Sequence, residues 1–279
     1  MNYTINDTTK RYAGNKDCSY EEFKIKDDDK YQYGCELEFY IDTTTHNFKT
    51  AIDNIAKEIY EVTNVDILVD IVGLPKENDK NSCVQIKPDI SLDENGIEIS
   101  VPITTETGIK HYINIVCKII DKYGYTNEET GFHIHISTIK KDGINFNFYK
   151  FMLLCHKAKL LSSWMPREGY SQNVMDILSL NSKQISRKIK TKKGTIWNLE
   201  KIEPNHVEIK SIGGENYHLE IEKITDQFLK YSELFKETLE KDTLVHKQMY
   251  TEHKEELEKL SIEQNSQFAI ALSEAGIFK

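Results

Sequence analysis

The sequence predicts an α+β fold, in which helices cover one face of a sheet and polar side chains occupy the other. Apolar and polar residues alternate over Tyr31–Ile41 and again over Gly131–Thr138, and such alternation is the pattern of a half-buried strand. Elsewhere apolar residues recur at every third or fourth position, which is the pattern of an amphipathic helix. The strands are joined by turns or by single helices, and this order is typical of an α+β domain.

In the first half of the chain, the first strand is followed by a helix, a second strand and a hairpin. Apolar residues at helical spacing predict the helix over about 47–62. The apolar run Val65–Val72 predicts the second strand. The turn residues Asp93–Gly96 separate the apolar runs Val84–Lys87 and Ile97–Ile103, and this arrangement predicts the hairpin.

In the second half of the chain, apolar residues over 109–120 have helical spacing and predict a helix before the strand Gly131–Thr138. The segment Phe148–Trp164 is largely apolar and predicts a further helix, which Pro166 ends because proline cannot continue a helix. The remaining expected elements are a weak helix over 171–189, strands over Thr195–Leu199 and His206–Ile212, and a charged helical stretch over 218–273.

The composition divides the chain into three parts. Residues 1–30 are polar and form a lead-in, residues 31–240 carry the domain, and residues 241–279 form a charged helical extension. The sequence contains neither an internal repeat nor a linker rich in glycine, proline or serine that would divide the domain.

The charge and the apolar content indicate a protein that binds neither nucleic acid nor membrane. The formal net charge of −9 disfavours non-specific binding to nucleic acid. No apolar run is long enough to span a bilayer, and the polar start of the chain lacks the apolar region of a secretory signal. The five cysteines are scattered without CxxC spacing, which favours a reducing compartment. We therefore expect a cytoplasmic protein, and the sequence leaves its oligomeric state open.

Three predicted strands each carry a pair of polar side chains that stand two residues apart. The pairs are Glu36 with Glu38, His133 with His135, and Glu208 with Lys210. Residues i and i+2 point to the same face of a strand, so each pair presents both groups on one face. If the three strands share a sheet, carboxylates, imidazoles and a lysine converge on one surface. A site for a divalent cation and phosphate is built in this way.

Each of these signals also has a plainer explanation. An isolated Glu-x-Glu is more often the exposed face of an amphipathic strand, paired histidines can be structural, and Glu208 with Lys210 can form a simple surface ion pair. Glu98, in the strand after the predicted turn, adds a carboxylate that is weak evidence alone. If a metal binds, the oxygen-rich set favours Mg²⁺ or Mn²⁺ over Zn²⁺, because no cysteine stands near the histidines.

Arginine is rare in this chain. Arg11, Arg167 and Arg187 are the only arginines among 36 basic residues. An arginine in a lysine-rich chain can mark a need for the planar fork that grips phosphate or carboxylate, although chance also explains three residues. The sequence has no glycine-rich phosphate loop, so a nucleotide would be held by metals and cations instead.

Taken in order, these segments resemble the amidoligase family, the carboxylate–amine ligases of the glutamine synthetase-like superfamily. The matching segments are Gly34–Glu38 for G-x-E-x-E, Asp89–Leu92 for D-x-S-L, Glu98–Pro102 for E-[IV]-x-x-P, Gly131–His135 for G-x-H-x-H, Arg167 after the central helix, and Glu208–Lys210 for E-[FI]-R. The resemblance covers about residues 31–240. Lys210 departs from the family pattern, which has arginine there, so the charge is kept and the two-pronged fork is lost.

The resemblance implies a curved antiparallel sheet of about five to six strands with helices on its outer face, in a glutamine synthetase-like catalytic fold. It also implies that ATP and Mg²⁺ or Mn²⁺ bind on that sheet. The implied metal ligands are Glu36, Glu38, Glu98, His133 and Glu208. The implied contacts to the substrate and to the nucleotide are His135, Arg167, Arg187, Lys210 and Glu98.

The function that the resemblance implies is an ATP-dependent ligase that joins a small-molecule or peptide carboxylate to an amine. The carboxylate would be activated as an acyl phosphate, which must be kept from water, so we expect a lid formed by 73–82 or 190–194. Two alternatives stay open, namely a phosphotransferase on the same fold and a non-catalytic relative that binds nucleotide or metal.

Overall fold

The structure is a computed structural model, and it describes most of the predicted domain. The described residues are 9–12, 23–26, 29–70, 83–89, 91–138, 144–160, 164, 197–198, 205–241, 248, 250–260 and 262. Of the helices among these residues, none combines the length and the apolar character that a membrane crossing requires.

A nine-stranded sheet and a separate two-stranded sheet run through the described residues. In chain order the strands are β1 (Thr9–Tyr12), β2 (Tyr31–Ile41), β3 (Ile67–Asp70), β4 (Val84–Pro88), β5 (Gly96–Ser100), β6 (Gly124–Tyr125), β7 (Gly131–Thr138), β8 (Ile144–Phe146), β9 (Trp197–Asn198), β10 (His206–Gly213) and β11 (Leu239–Lys241). The large sheet has the order β1-β3-β4-β5-β2-β7-β10-β9, with β6 paired to β2, and the small sheet joins β8 to β11. The long strand β2 therefore lies between β5 and β7.

The mixed α and β architecture agrees with the predicted fold class, and two details of the sheet are corrected. The large sheet has more than the expected five to six strands, because short strands such as β1 and β6, of four and two residues, are too brief to show alternation. Strands β3 and β4 are parallel, with Ile67 opposite Val84, although the expected sheet is antiparallel throughout. An apolar pattern marks a strand without giving the direction of its neighbour. The curvature of the sheet stays a prediction.

One face of the sheet forms the core together with four helices. The helices are α1 (Phe48–Thr63), α2 (Glu106–Tyr123), α3 (Phe148–Lys157) and α4 (Ile221–Glu237). The core positions of β2 and β7 are buried because alternate side chains of each strand point to this face; they include Leu37, Phe39, Phe132 and Ile134. Helix α2 contacts β2 and also touches α1 and α4.

The helices begin and end where the local chemistry requires. Asn47 caps α1 by accepting a hydrogen bond from the Thr50 backbone N–H at 3.2 Å, and Asn64 ends the helix in the left-handed conformation at φ 49°. Helix α3 ends at Lys157, earlier than the predicted Trp164, and Lys159, which follows the capping residue Ala158, adopts φ 56°. A left-handed residue cannot continue a right-handed helix, so the apolar pattern beyond Lys157 does not extend α3.

Part of the polar lead-in contacts the domain. Strand β1 pairs with β3, and Arg11 lies opposite Leu68 in that register. The side chain of Phe23 is buried, and its carbonyl accepts a hydrogen bond from Thr104 Oγ1 at 2.6 Å. The polar composition of this segment gives no sign of either contact. Strand β1 is held to β3 by backbone hydrogen bonds, which do not depend on apolar side chains. The division of the chain into three parts stays a prediction.

The charged C-terminal stretch is helical over residues 250–260, and this helix packs on α3. Tyr250 stacks edge-on against Tyr149 at 5.3 Å between ring centroids, and Glu256 pairs with Lys157 at 2.6 Å. Leu257 is buried. The predicted helix over 218–273 is corrected at β11, where the backbone pairs with β8 instead of continuing α4.

Strand β10 contains a bulge that changes which side chains face the core. Ile209 lies opposite Ile134 and Ile212 lies opposite Phe132, so β10 carries one residue more than β7 across this stretch. Ile209 and Ile212 are therefore both buried in the core. Between them, the Ser211 hydroxyl lies 2.7 Å from the Tyr231 hydroxyl of α4.

Candidate metal centre

The face of the sheet opposite the core carries the polar pairs, and the strand register aligns them. Glu36 of β2 lies opposite His133 of β7 on one side and Ser100 of β5 on the other. On the next polar position of β2, Glu38 lies opposite Glu98 of β5. Across the β7–β10 pair, Glu208 lies opposite His135, so four adjacent strands contribute to one surface.

His133 lies between carboxylates. Its Nδ1 is 3.2 Å from Glu36 Oε2, and its Nε2 is 3.3 Å from Glu38 Oε1. Nδ1 is also 3.8 Å from Glu208 Oε1. Burial lowers the pKa of His133, but Glu38 and Glu36 outweigh that effect and the pKa is raised. The neighbouring glutamates therefore favour the protonated form of the ring, which offsets part of their charge.

His135 is the second imidazole of the cluster and lies beside Glu36 and Glu208. Its Nε2 is 3.4 Å from Glu36 Oε1, and its Nδ1 is 3.1 Å from Nε2 of His206. Burial opposes the ionisation of Glu36, yet the charges of His135 and His133 hold the pKa of Glu36 well below its usual value. Glu36 is thus an anion held between two imidazoles.

Burial makes the Glu98 carboxyl hard to ionise. It is 5% exposed, and burial together with the nearby charge of Glu36 raises its pKa to about 7. Lys87 of β4 approaches Glu98 Oε1 to 2.9 Å, and the Ser100 hydroxyl donates a hydrogen bond to the same oxygen. These two contacts limit the shift, because they favour the charged form of the carboxyl.

The two remaining glutamates also have partners. The backbone N–H of Gly131 donates to Glu38 Oε2 at 2.7 Å, which fixes the Glu38 side chain at the start of β7. Lys210 Nζ lies 3.0 Å from Glu208 Oε1. Burial raises the pKa of Glu208, but His135, His133 and Lys210 outweigh it, and the pKa is lowered. Each glutamate of the face is therefore paired or hydrogen-bonded.

Glu36, His135 and Glu208 have the geometry to hold a cation. One ligand atom from each lies within 4.8 Å of the ligand atoms of the other two. A divalent ion at metal–ligand distances of about 2.0–2.6 Å fits between atoms at this spacing. Carboxylate oxygens with an imidazole suit Mg²⁺ and, still better, Mn²⁺ or another first-row metal. The donor set therefore fits a divalent metal.

The structure brings most of the predicted site residues together. The residues on the shared face are Glu36, Glu38, Glu98, His133, His135, Glu208 and Lys210. Their assignment as metal ligands or phosphate contacts stays a prediction. Arg167, Arg187 and the candidate lid segments 73–82 and 190–194 lie outside the described residues.

Sequence reasoning missed two residues of this face, Lys87 and His206. Lys87 belongs to the strand Val-Gln-Ile-Lys, whose alternation places Gln85 and Lys87 on the polar side. His206 stands two residues before Glu208, so the segment is His-x-Glu-x-Lys and not a single pair. The period-two spacing signals both residues, and the order of strands in the sheet is needed to place them beside the cluster.

Comparison with known proteins gives little further information. The sequence matches no model of a known protein family, and it matches no curated protein. Among solved structures, a Plasmodium falciparum glutamine synthetase determined by cryo-EM is similar over 78% of this chain, with 13% identity and a TM-score of 0.40. The match spans 53% of that glutamine synthetase chain, about half its length. A likeness at this level does not establish a shared fold or a shared function.

Proposed function

We propose that this protein is an ATP-dependent carboxylate–amine ligase that forms an amide through an acyl phosphate. The observation that carries the proposal is the convergence of motifs that lie far apart in sequence. Glu36 and Glu38, Glu98, His133 and His135, and Glu208 and Lys210 come from four adjacent strands and share one face. Those are the strands on which the amidoligase resemblance places the nucleotide and its metals.

The first requirement of this reaction is that cationic groups reduce the repulsion between its two anionic substrates, and the chain has lysines that can do so. An acid and ATP are both anionic, so their approach is opposed by charge repulsion. Lys210 and Lys87 lie at opposite sides of the glutamate cluster, on β10 and β4. We assign Lys210 to the transferring phosphoryl group, because a cation there offsets the charge that spreads over its oxygens.

The metal would be held by Glu36, His135 and Glu208, with Glu38, Glu98 and His133 as further candidate ligands. When bound, Mg²⁺ or Mn²⁺ would neutralise the triphosphate and stabilise charge on the phosphoryl group. The histidines and lysines that pair with the glutamates in this structure offset part of the glutamate charge when no metal is bound.

The proposed reaction has two steps. A carboxylate oxygen of the acid attacks the γ-phosphorus of ATP, the bond from that phosphorus to the β,γ-bridging oxygen breaks, and ADP leaves. The amine nitrogen then attacks the acyl carbon, the bond from that carbon to the phosphate oxygen breaks, and the nitrogen loses a proton. The products are an amide, ADP and inorganic phosphate.

The test is mass spectrometry of a reaction that contains ATP, Mg²⁺ or Mn²⁺, and a panel of amino acids, polyamines and peptides, with ³¹P NMR of the phosphorus products. We expect an amide together with ADP and phosphate. AMP with pyrophosphate would overturn the acyl phosphate. A stable phosphorylated acceptor without amide would support a phosphotransferase, and metal–ATP binding without turnover would support a non-catalytic relative.

Matched variants locate the activity on the polar face. Glu36→Gln and Glu208→Gln keep the side-chain size and remove the charge, so we expect both to abolish turnover. Glu222→Gln makes the same change at an exposed position of α4 and serves as the control. Full turnover in both Glu36→Gln and Glu208→Gln would contradict the assignment of the site.

A further inference from the structure

His206 lies beside the Nδ1 atom of the His135 ring, whereas Glu36 lies beside its Nε2 atom. The two rings are nearly parallel, with 13° between their planes and 5.3 Å between their centroids. Nδ1 of His135 is 3.1 Å from Nε2 of His206, which is hydrogen-bond distance. At that distance two unprotonated nitrogens would repel, so one of the two atoms carries a proton and donates it to the other.

The position of Nε2 in the His135 ring indicates which of the two ring nitrogens should carry no proton. Nε2 of His135 faces Glu36, 3.4 Å from Oε1, and His135 forms the cation-sized group with Glu36 and Glu208. An imidazole binds a metal through a nitrogen that carries no proton. A proton on Nδ1, donated to His206, leaves the lone pair of Nε2 for that position.

We infer that His206 is a positioning residue: it accepts the Nδ1–H of His135 and so fixes the tautomer and the ring angle that make Nε2 of His135 a metal ligand beside Glu36 and Glu208. The inference rests on the metal site of the proposed function and adds a residue to it. Metal-binding histidines characteristically donate their other ring N–H to a nearby acceptor, and the acceptor here is a second imidazole.

The inference also changes the role of His135. The amidoligase resemblance places this residue at the substrate or the phosphate, whereas the distances place it with two glutamates around one position. Strand register explains the arrangement, because Glu208 lies opposite His135 and His206 stands on the same face of β10 as Glu208. Strand β10 thus supplies the ligand Glu208 and also His206, which orients the ligand His135 of β7.

The first measurement is Mn²⁺ affinity by calorimetry, without nucleotide, on the full chain. His206→Ala removes the acceptor, and loss of such an orienting partner typically weakens metal binding by about 10- to 100-fold. His206→Gln places an amide oxygen near the position of Nε2, so we expect affinity close to wild type. His46→Ala, a partly exposed histidine at the start of α1, is the control and should not change the affinity.

The second measurement is made with Mg²⁺ bound, because in the metal-free protein Nε2 of His135 lies where it can donate a proton to Glu36. Long-range ¹H–¹⁵N spectra of protein labelled with ¹⁵N-histidine report which ring nitrogen carries the proton, and His135→Gln identifies the His135 signals by their loss. In the metal-bound protein we expect the proton on Nδ1 of His135. In His206→Gln it should remain there.

The outcomes separate the inference from the proposed function. If wild-type protein binds neither Mn²⁺ nor Mg²⁺, the metal site of the proposed function fails and the inference fails with it. If wild-type protein binds Mn²⁺ and His206→Ala binds it equally well, the inference is wrong and the metal site stands. A metal-bound protein in which His135 carries its proton on Nε2 also overturns the inference. If His206→Ala does not fold, His206→Gln and the wild-type spectra still test it.

Discussion

At the scale of single residues, the candidate metal centre is a set of carboxylates that the chain has already neutralised. Glu36 has two imidazoles beside it, Glu98 has Lys87, and Glu208 has Lys210. Removing one member of such a buried pair leaves its partner uncompensated, which usually costs more than the pair itself contributes. Substitutions here therefore act on stability and on ligand binding together, and each test needs both readouts.

Substitutions of Lys210 can test separately the effect of its positive charge and the effect of its side-chain shape. Lys210→Arg keeps the cation and adds a planar fork, so we expect activity to be retained or raised. Lys210→Ala removes the cation from Glu208 and from the phosphoryl group, and we expect a loss on the order of 10²-fold in kcat. The measurement is steady-state ATP turnover, with the exposed Lys230→Ala as control. Loss of activity in Lys210→Arg together with normal activity in Lys210→Ala would refute this role.

Glu98 makes the stability of the metal-free protein depend on pH. Its pKa is 4.5 in an unperturbed chain and about 7 in the folded protein, so the folded state binds the proton more tightly. The free energy of unfolding should therefore fall as the pH rises through this window, by on the order of 3 kcal/mol from Glu98 alone.

The other site residues set the rest of the pH profile. His133 and His135 have raised pKa values, so their stabilising contribution is present at acidic pH and is lost as pH rises through those values. Glu36 and Glu208 have lowered pKa values, so their contribution is lost only as the pH falls below the usual glutamate range. Together these shifts place the most stable pH of the metal-free protein on the mildly acidic side.

Urea unfolding at a series of pH values between about 5 and 8, without metal, measures this dependence. Glu98→Gln should show a smaller fall in the free energy of unfolding than wild type over this range. Glu222→Gln, at an exposed position, should follow wild type. An unchanged pH dependence in Glu98→Gln would show that Glu98 titrates normally in the folded protein.

At the scale of secondary structure, the helix at residues 250–260 packs on the domain through a buried leucine. Leu257 is 1% exposed, and its apolar neighbours belong to the main core. We expect Leu257→Ala to lower the free energy of unfolding by about 2–5 kcal/mol, the usual cost of a buried leucine. Equilibrium unfolding measures it, and the exposed Glu255→Ala should stay near wild type. A Leu257→Ala protein as stable as wild type would show that this helix does not pack on α3 in solution.

Long elements with a clear period are predictable from this sequence, and short ones are not. The sequence predicts β2 and β7 with the bounds that the structure has, because each strand buries one complete face. The pairs β1–β3 and β8–β11 depend on backbone hydrogen bonds between segments far apart in sequence, which no local pattern reveals. The left-handed Lys159 that follows α3 is equally invisible in an apolar run.

The site follows the same rule. The period-two pairs predict which side chains share a face within each strand, and the structure places those strands side by side. The pairing of strands fixes the rest: β4 brings Lys87 to Glu98, and the β7–β10 register brings His206 to His135. Neither neighbour can be deduced until the order and the register of the strands are known.

At the scale of the whole molecule, metal binding and folding stability should be linked. A ligand that binds only the folded state stabilises it by RT ln(1 + [L]/Kd), which is about 2.7 kcal/mol at 100 times Kd. Mn²⁺ at that concentration should raise the melting temperature by several degrees, and EDTA should reverse the shift. Glu36→Gln should remove most of the shift, whereas Glu222→Gln should keep it. Equal shifts in both variants would place the responsible ion elsewhere on the protein.

The extra residue in β10 lets one strand present Glu208 and Lys210 on the polar face and still bury both Ile209 and Ile212 in the core. Before the bulge, alternate positions put Glu208 and Lys210 on the polar face. After the bulge the alternation is shifted by one residue, so that Ile212 points to the core. Deleting Ser211 would leave Lys210 and Ile212 adjacent and on opposite faces, as a regular strand requires, but the hydroxyl that contacts Tyr231 of α4 would be lost. The segment that follows β10 is also fixed, because the Gly214 backbone N–H donates to the Thr130 carbonyl and the Tyr217 hydroxyl donates to the Glu38 carbonyl. Insertions and deletions should therefore disrupt the fold both within β10 and in the segment up to the buried Tyr217.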